Sequence, residues 1–141
     1  MFDKVLIWYD GSEGAQAALK ESLELAKKFN ADVTALWVKG NLPHYPETIS
    51  EVEQERESAN SFRNKLKNEI SLYSNQFNCK IHFEAKEGHP AQTILHYAEE
   101  KKINLIVVGH RGHSNLWGKF LGHTADKISE NARCNVLIVR K

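Results

Sequence analysis

Apolar and polar positions along this chain switch several times between the spacing of a strand and the spacing of a helix. Short runs of the strand type occupy residues 4–9, 33–38, 80–85, 105–108 and 136–139. Small and apolar residues at helical spacing follow the first four runs, at 15–29, 47–77, 90–98 and 125–132. Five strands that alternate with four helices predict an α/β protein in which right-handed crossovers make the strands parallel.

The segment 47–77 predicts the longest helix, packed by one face. Its sequence is polar and charged apart from one apolar stripe, made by Val52, Ala59, Phe62, Leu66, Ile70, Tyr73 and Phe77. We expect its first turns to be exposed to solvent. Two local signals mark the starts of other helices: Ser12 is suited to cap the first helix, and Pro90 is suited to the first turn of the third.

These elements predict a single open five-stranded parallel sheet of Rossmann-like type, in the order 3-2-1-4-5, with helices on both faces. Sheets of this kind bind ligands at the carboxyl ends of their strands, where the strand order reverses. In the predicted order the reversal lies between strands 1 and 4. The turns that follow these strands, 10–14 and 109–112, are both rich in glycine, so both are expected at one site.

Composition limits the classes of protein that the chain can represent. A length of 141 residues, with 41% hydrophobic and 26% charged residues, predicts one globular domain over 1–141. The net charge is +1, from 19 basic and 18 acidic side chains, and no run of like charges indicates a nucleic-acid or membrane surface. The apolar runs are shorter than a membrane span, and the first residues do not have the pattern of a signal peptide, so a cytoplasmic location is predicted.

The fourth strand runs into closely spaced glycines, Gly109 and Gly112, with Gly122 further on. Glycine lets an anion approach main-chain N–H groups without meeting a Cβ atom. His123 and Thr124 follow Gly122 and lead into the last predicted helix, 125–132, whose positive end attracts anions. The segment therefore predicts a phosphate-binding loop.

The chain resembles the universal stress proteins of the UspA type over essentially its whole length. The resemblance rests on four stretches. They are Asp10-Gly11-Ser12 after the first strand, the Gly88-x-Pro90 turn, Val107-Val108-Gly109-x-x-Gly112, and the closing residues 134–140. The nucleotide-binding branch of that family carries the pattern G-x2-G-x9-G-[S/T], and Gly109, Gly112 and Gly122 match its three glycines.

This resemblance implies an ATP site at which the three glycines hold the triphosphate and ribose, with Mg²⁺ carried by the phosphates. It implies that Asp10, with Gly11 beside it, lies at the adenosine end, and that the main chain around Val38 bonds the adenine. It also implies a homodimer paired through the final strand. Such a protein is a regulator in the stress response, with slow incidental ATP hydrolysis at most.

The chain departs from the family pattern after its third glycine. His123 stands where the family has Ser or Thr, Ala125 stands where a second hydroxyl is common, and Thr124 is displaced by one residue. A protonated His123 is suited to donate to a phosphate, so binding is expected to strengthen as the pH falls toward about 6. Two functions stay open: an ATP-binding regulator, and a dimer without nucleotide that acts through protein contacts, in which the glycines serve only a tight turn and close helix packing.

Other chemistry receives weaker support. The stretch 110–113 matches the H-x-G-H pattern of nucleotidyltransferases, but it follows the fourth strand instead of the first. Arg111 is a candidate phosphate contact. His89, His110, His113 and His123 fall in loops at one sheet edge without the i, i+4 spacing of helical metal ligands, so no protein-held metal is predicted.

Two residue types have structural interpretations. Cys79 and Cys134 lie far apart with neither a C-x-x-C nor a zinc spacing, and they are expected to be free thiols. Trp8 and Trp37 fall in predicted strands and are interpreted as packing residues.

Overall fold

The computed structural model describes residues 2–40, 48–110 and 122–140. Strands and helices alternate along these residues. They are β1 (Lys4–Trp8), α1 (Glu13–Phe29), β2 (Asp32–Lys39), α2 (Ile49–Phe77), β3 (Ile81–Glu87), α3 (Pro90–Glu100), β4 (Leu105–Gly109), α4 (His123–Asn131) and β5 (Asn135–Val139).

The five strands form one parallel sheet in the order β3-β2-β1-β4-β5, which confirms the predicted fold and strand order. β1 is the central strand: Trp8 is in register with Leu36 of β2, and Ile7 is in register with Val107 of β4. The order therefore reverses between β1 and β4, where the two glycine-rich turns were expected to meet.

Alternate residues of each strand pack on opposite faces of the sheet, which gives two layers of core. Val5 and Ile7 of β1 join the layer beneath α1 and α2, whereas Leu6 joins the layer beneath α3 and α4. Burial of both faces explains the short continuous apolar runs of β1 and β4, because a strand covered on both sides has no polar face.

The long helix α2 is only partly packed on the sheet. Leu66 and Ile70 are its buried residues, while Ile49 in its first turn is 80% exposed. Between them, the Phe62 ring meets the Trp37 ring edge to face, with 5.1 Å between centroids. The predicted exposure of the first turns is confirmed.

Helix ends follow the local signals with small shifts. The Ser12 side chain accepts a hydrogen bond from the Ala15 amide and caps α1, and Pro90 occupies the first turn of α3, as predicted. α4 starts at His123, earlier than the predicted 125, because the Asp126 amide already donates to the Gly122 carbonyl at 2.9 Å. No helix within 2–40, 48–110 and 122–140 has the length and apolar character required to cross a bilayer.

Candidate functional site

The turn that follows β1 is held by a short network around Asp10. Its Oδ1 atom accepts hydrogen bonds from the Ser12 amide at 3.0 Å and from the Ser12 hydroxyl at 2.6 Å. The same hydroxyl accepts from the Ala15 amide at 3.2 Å. Asp10 and Ser12 are both buried, so the carboxylate is held rigidly at the carboxyl end of the central strand.

Gly11 allows the chain to pass from β1 into α1. Its φ of +81° lies in the left-handed region, which side chains other than glycine rarely adopt. A Cβ atom at this position would also lie 3.0 Å from Cδ2 of Leu66. The geometry therefore gives Gly11 a conformational role in the turn, beside its predicted place in a binding site.

Tyr9 and Glu69 form a contact next to this turn that sequence patterns do not reveal. The fully buried Tyr9 hydroxyl donates to Oε1 of Glu69 at 2.6 Å, across 60 positions of sequence. Burial first, and then the Glu69 carboxylate, raises the pKa of Tyr9 above its ordinary value. The contact joins the end of β1 to the middle of α2.

Replacing Tyr9 with phenylalanine is expected to lower the free energy of unfolding by about 1 kcal/mol at neutral pH, because the Glu69 hydrogen bond is lost. The folded pKa of Tyr9 lies above the unfolded value of 10.0, so the unfolded chain releases a proton that the folded chain keeps. This contribution to stability is complete below pH 10 and falls as the pH rises beyond it. Urea unfolding at about pH 7 and about pH 10.5 measures both effects.

Tyr73→Phe is the matched control, since the Tyr73 hydroxyl makes a longer hydrogen bond, 3.4 Å to Gln16, and its pKa is also raised by burial and by Glu69. It should cost less stability than Tyr9→Phe. If Tyr9→Phe and the parent protein lost the same stability between the two pH values, the buried Tyr9–Glu69 contact would not be the source of the alkaline sensitivity.

Val38 lies near the carboxyl end of β2, just past the end of β1. The Tyr9 amide donates to the Leu36 carbonyl at 2.9 Å, after which the chain of β1 turns away. Main-chain groups of residues two apart in a strand point to the same side, so those of Val38 point toward the space beyond β1. This is the orientation that main-chain bonding of a flat base at Val38 requires.

The other half of the site lies where β4 ends. The His110 amide donates to the Val139 carbonyl at 2.9 Å, and the His110 carbonyl accepts from the Gly122 amide at 2.7 Å. The Gly122 end of α4 is thereby held at the carboxyl end of β4, thirteen positions after Gly109, and β4 is the neighbour of β1 in the sheet. The predicted grouping of these two glycines agrees with this arrangement.

Gly109 also meets α1 in a close contact. A Cβ atom on Gly109 would lie 2.7 Å from the carbonyl carbon and oxygen of Gly14. Two glycines thus let the first turn of α1 approach the end of β4. The close packing of α1 is therefore one reason why residue 109 is a glycine.

The first three residues of α4 differ in how deeply their side chains are buried. His123 is exposed, Thr124 is half-buried and Ala125 is buried in the layer beneath α3 and α4. Gly122 occupies the N-cap position and makes no side-chain hydrogen bond to the first amides of α4. His123, a predicted phosphate contact, is thus an exposed side chain at the N-terminus of α4.

Arg111 and Gly112, two of the predicted site residues, lie outside the described residues. Among the residues described, no group of three or more metal-ligating side chains forms.

Cys79 and Cys134 are free and half-buried, and burial raises the pKa of both thiols above the ordinary value. Both thiols therefore lack the lowered pKa that is typical of a reactive cysteine.

A parallel sheet covered by helices on both faces, whose strand order reverses between β1 and β4, defines an α/β protein of the Rossmann-like class. This chain belongs to the universal stress protein family, whose family model matches residues 1–140. It is 34% identical to universal stress protein MJ0531 of Methanocaldococcus jannaschii, with 100% of this chain and 84% of the relative covered. It is 33% identical to universal stress protein YxiE of Bacillus subtilis, with 99% and 100% covered.

Solved structures give the same result. UspA from Lactobacillus plantarum superposes with a TM-score of 0.86 at 26% identity, covering 99% of this chain and 98% of that one. A universal stress protein in complex with cAMP gives a TM-score of 0.74 at 21% identity, covering 97% and 96%. A family member from Arabidopsis thaliana with AMP bound gives 0.69 at 16%, covering 99% and 92%. The last two likenesses show the shared fold.

Proposed function

We propose that this protein is an adenine-nucleotide-binding regulator of the stress response, with ATP as its ligand. The observation that carries the proposal is the 2.7 Å hydrogen bond between the Gly122 amide and the His110 carbonyl. This bond holds the N-terminus of α4 at the end of β4, and β4 is one of the two strands between which the strand order reverses. Main-chain donors and a positive helix end at such a point are suited to phosphate oxygens.

The residues present fit a nucleotide with its phosphates at α4 and its base at β2. We assign the phosphate side of the proposed site to Gly109, Gly122, His123 and Thr124, and the nucleoside side to Asp10, Gly11 and Val38. Arg111 and Gly112 are added to the phosphate side from the sequence pattern alone. Mg²⁺ would arrive with the phosphate oxygens, which are the hard ligands it prefers. The printed titles of two solved relatives name cAMP and AMP, which supports an adenine nucleotide as the class of ligand.

The proposed role is regulatory, with no catalytic residue assigned. A dedicated ATPase needs a group that orients the attacking water, and the Asp10 carboxylate is engaged with Ser12 in the turn after β1. We further propose a cytoplasmic homodimer paired through β5. This strand lies at the edge of the sheet, and Val136, Leu137 and Ile138 along it are only half-buried in the single chain.

The test is calorimetric titration of nucleotide-stripped protein with MgATP at about pH 6 and about pH 8. We expect a dissociation constant on the order of micromolar that is smaller at the lower pH, because a protonated His123 attracts phosphate. Gly122→Val should weaken binding at least about tenfold by placing a branched side chain against the phosphates. Valine suits this backbone, whose φ of −58° and ψ of 147° are ordinary for it.

His123→Ser is the matched variant, because it restores the hydroxyl residue of the family pattern. It should retain binding and remove the difference between the two pH values. Absence of heat at either pH, verified by equilibrium dialysis, would overturn nucleotide binding and leave the alternative, a dimer that acts through protein contacts. Equal affinity in folded Gly122→Val would contradict the assignment of the phosphate site.

A further inference from the structure

A second cavity, open to solvent, lies between the C-terminal ends of α3 and α4. Its volume is about 320 Å³. Small-molecule sites in proteins occupy roughly 300–1,000 Å³, so this cavity has the size of a site for a small ligand.

The cavity is far along the strands from the proposed nucleotide site. Ile103, which lines it, precedes β4, and Ala132 and Cys134, which also line it, precede β5. The strands are parallel, so their amino ends lie at one edge of the sheet and their carboxyl ends at the other. The cavity is therefore at the amino edge, whereas the proposed nucleotide site is at the carboxyl edge.

The floor of the cavity is aliphatic. It is made by Leu95, Ala98, Ile103, Ile106 and Ala132. All five belong to the core layer beneath α3 and α4, but only Ala98 and Ile106 are buried, and the other three stay half-buried. An apolar ligand here would remove that remaining surface from water. Because the lining residues that the structure describes include no aromatic ring, a flexible aliphatic chain suits the floor better than a flat ring does.

The rim of the cavity carries more positive than negative charge. Lys102 and Arg133 are its two cations, and Glu99 is the one carboxylate among the described lining residues. Nε of Arg133 lies 3.2 Å from Oε1 of Glu99, so that carboxylate is already balanced. The last carbonyls of α3 accept hydrogen bonds from the amides of residues 101–103, which reduces their attraction for a cationic ligand. The remaining charge, that of Lys102, is exposed and suited to an anionic group.

We propose that this cavity binds an aliphatic monocarboxylate, with its chain on the apolar floor and its carboxylate at Lys102. The inference does not depend on the proposed nucleotide function, because the two sites lie at opposite edges of the sheet. A bound chain would cover Cys134, a half-buried free thiol in the cavity wall. Cys134 therefore reports occupancy without taking part in binding.

The first test measures alkylation of each cysteine by iodoacetamide, with octanoate as the probe. At about 10 mM octanoate, modification of Cys134 should slow at least about threefold, since only the unoccupied protein reacts. Cys79 is the internal control: it is also free and half-buried, but it packs against the core layer beneath α1 and α2. An unchanged rate at Cys134, or equal slowing at both cysteines, would overturn the proposal.

The second test examines the charge at the rim. Lys102→Gln should weaken octanoate binding about 2- to 5-fold and leave the binding of 1-octanol unchanged, because only the acid carries a negative charge. Lys101→Gln is the matched control, since Lys101 lies beside Lys102 and has its Nζ atom 3.9 Å from Glu100. It should bind both probes as the parent does. Equal octanoate affinity in Lys102→Gln and the parent would overturn the assignment of the carboxylate.

A second copy of the chain is the competing occupant, because Cys134 directly precedes the edge strand β5. The alkylation rate of Cys134 without octanoate should not change between low and high protein concentration. If it fell as the protein concentration rose, and octanoate then gave no further slowing, the cavity would be covered by a second copy and the proposal would be wrong.

Discussion

Replacing Gly109 with alanine is expected to lower the free energy of unfolding by about 3 kcal/mol. The added Cβ would lie 2.7 Å from the carbonyl carbon and oxygen of Gly14, a distance that real Cβ atoms essentially never show. Both partners are main chain, so no side-chain rotation relieves the contact. β4 and the first turn of α1 must separate, and the core layer between them loses its close packing.

Gly40→Ala is the matched control, because no atom of the described residues other than its chain neighbours lies within 4 Å of the Cβ position at Gly40. Urea unfolding should show a large fall in the midpoint for Gly109→Ala and almost none for Gly40→Ala. If the two variants were equally stable, the approach of α1 to β4 would be looser than the structure shows. For the same reason Gly109 is a poor probe of ligand binding, and Gly122 is the better position for that test.

Replacing Leu66 with alanine is expected to cost about 3–5 kcal/mol of unfolding free energy. Leu66 is fully buried and, with Ile70, forms the buried part of the 29-residue helix α2. Its Cδ2 atom also faces Gly11, with 3.0 Å to the position of a Cβ there. A cavity at Leu66 would therefore weaken both the packing of α2 and the turn that positions Asp10.

Leu72→Ala on the same helix is the control, since Leu72 is 68% exposed. It removes the same atoms from a solvated position, so its cost should stay below about 0.5 kcal/mol. Thermal or urea unfolding of both variants measures the difference. Similar costs would mean that α2 contributes to stability through its own helix propensity and not through the contact of Leu66 with the sheet.

These two contacts connect the fold with the proposed site. Gly109 and Leu66 each pack against the chain that borders the β1 turn, one from β4 and the other from α2. The turn also holds Asp10 through two hydrogen bonds from Ser12. The carboxyl end of β1 is thus supported from several directions before any ligand binds, as a preorganised binding site requires.

Much of this architecture follows from local patterns. The alternation of strand and helix periods predicted all nine elements of the described part of the chain, because burial on one helix face or on both strand faces leaves a periodic trace in the sequence. Ser12 and Pro90 were identifiable because caps and first-turn prolines act within a few residues. The start of α4 was placed two residues late, because Gly122 begins the helix through its main chain and carries no side-chain signal.

By itself, the sequence determined the element order, the parallel α/β class and the grouping of glycines near the reversal of strand order. Only the tertiary structure decided that Gly109 faces Gly14, that Tyr9 donates to Glu69 across 60 positions, and that the Trp8 N–H is buried with no partner among the described residues. The physical reason is range. Periodicity and capping depend on neighbours along the chain, whereas these features depend on how the helices lie against the sheet, which no local pattern encodes.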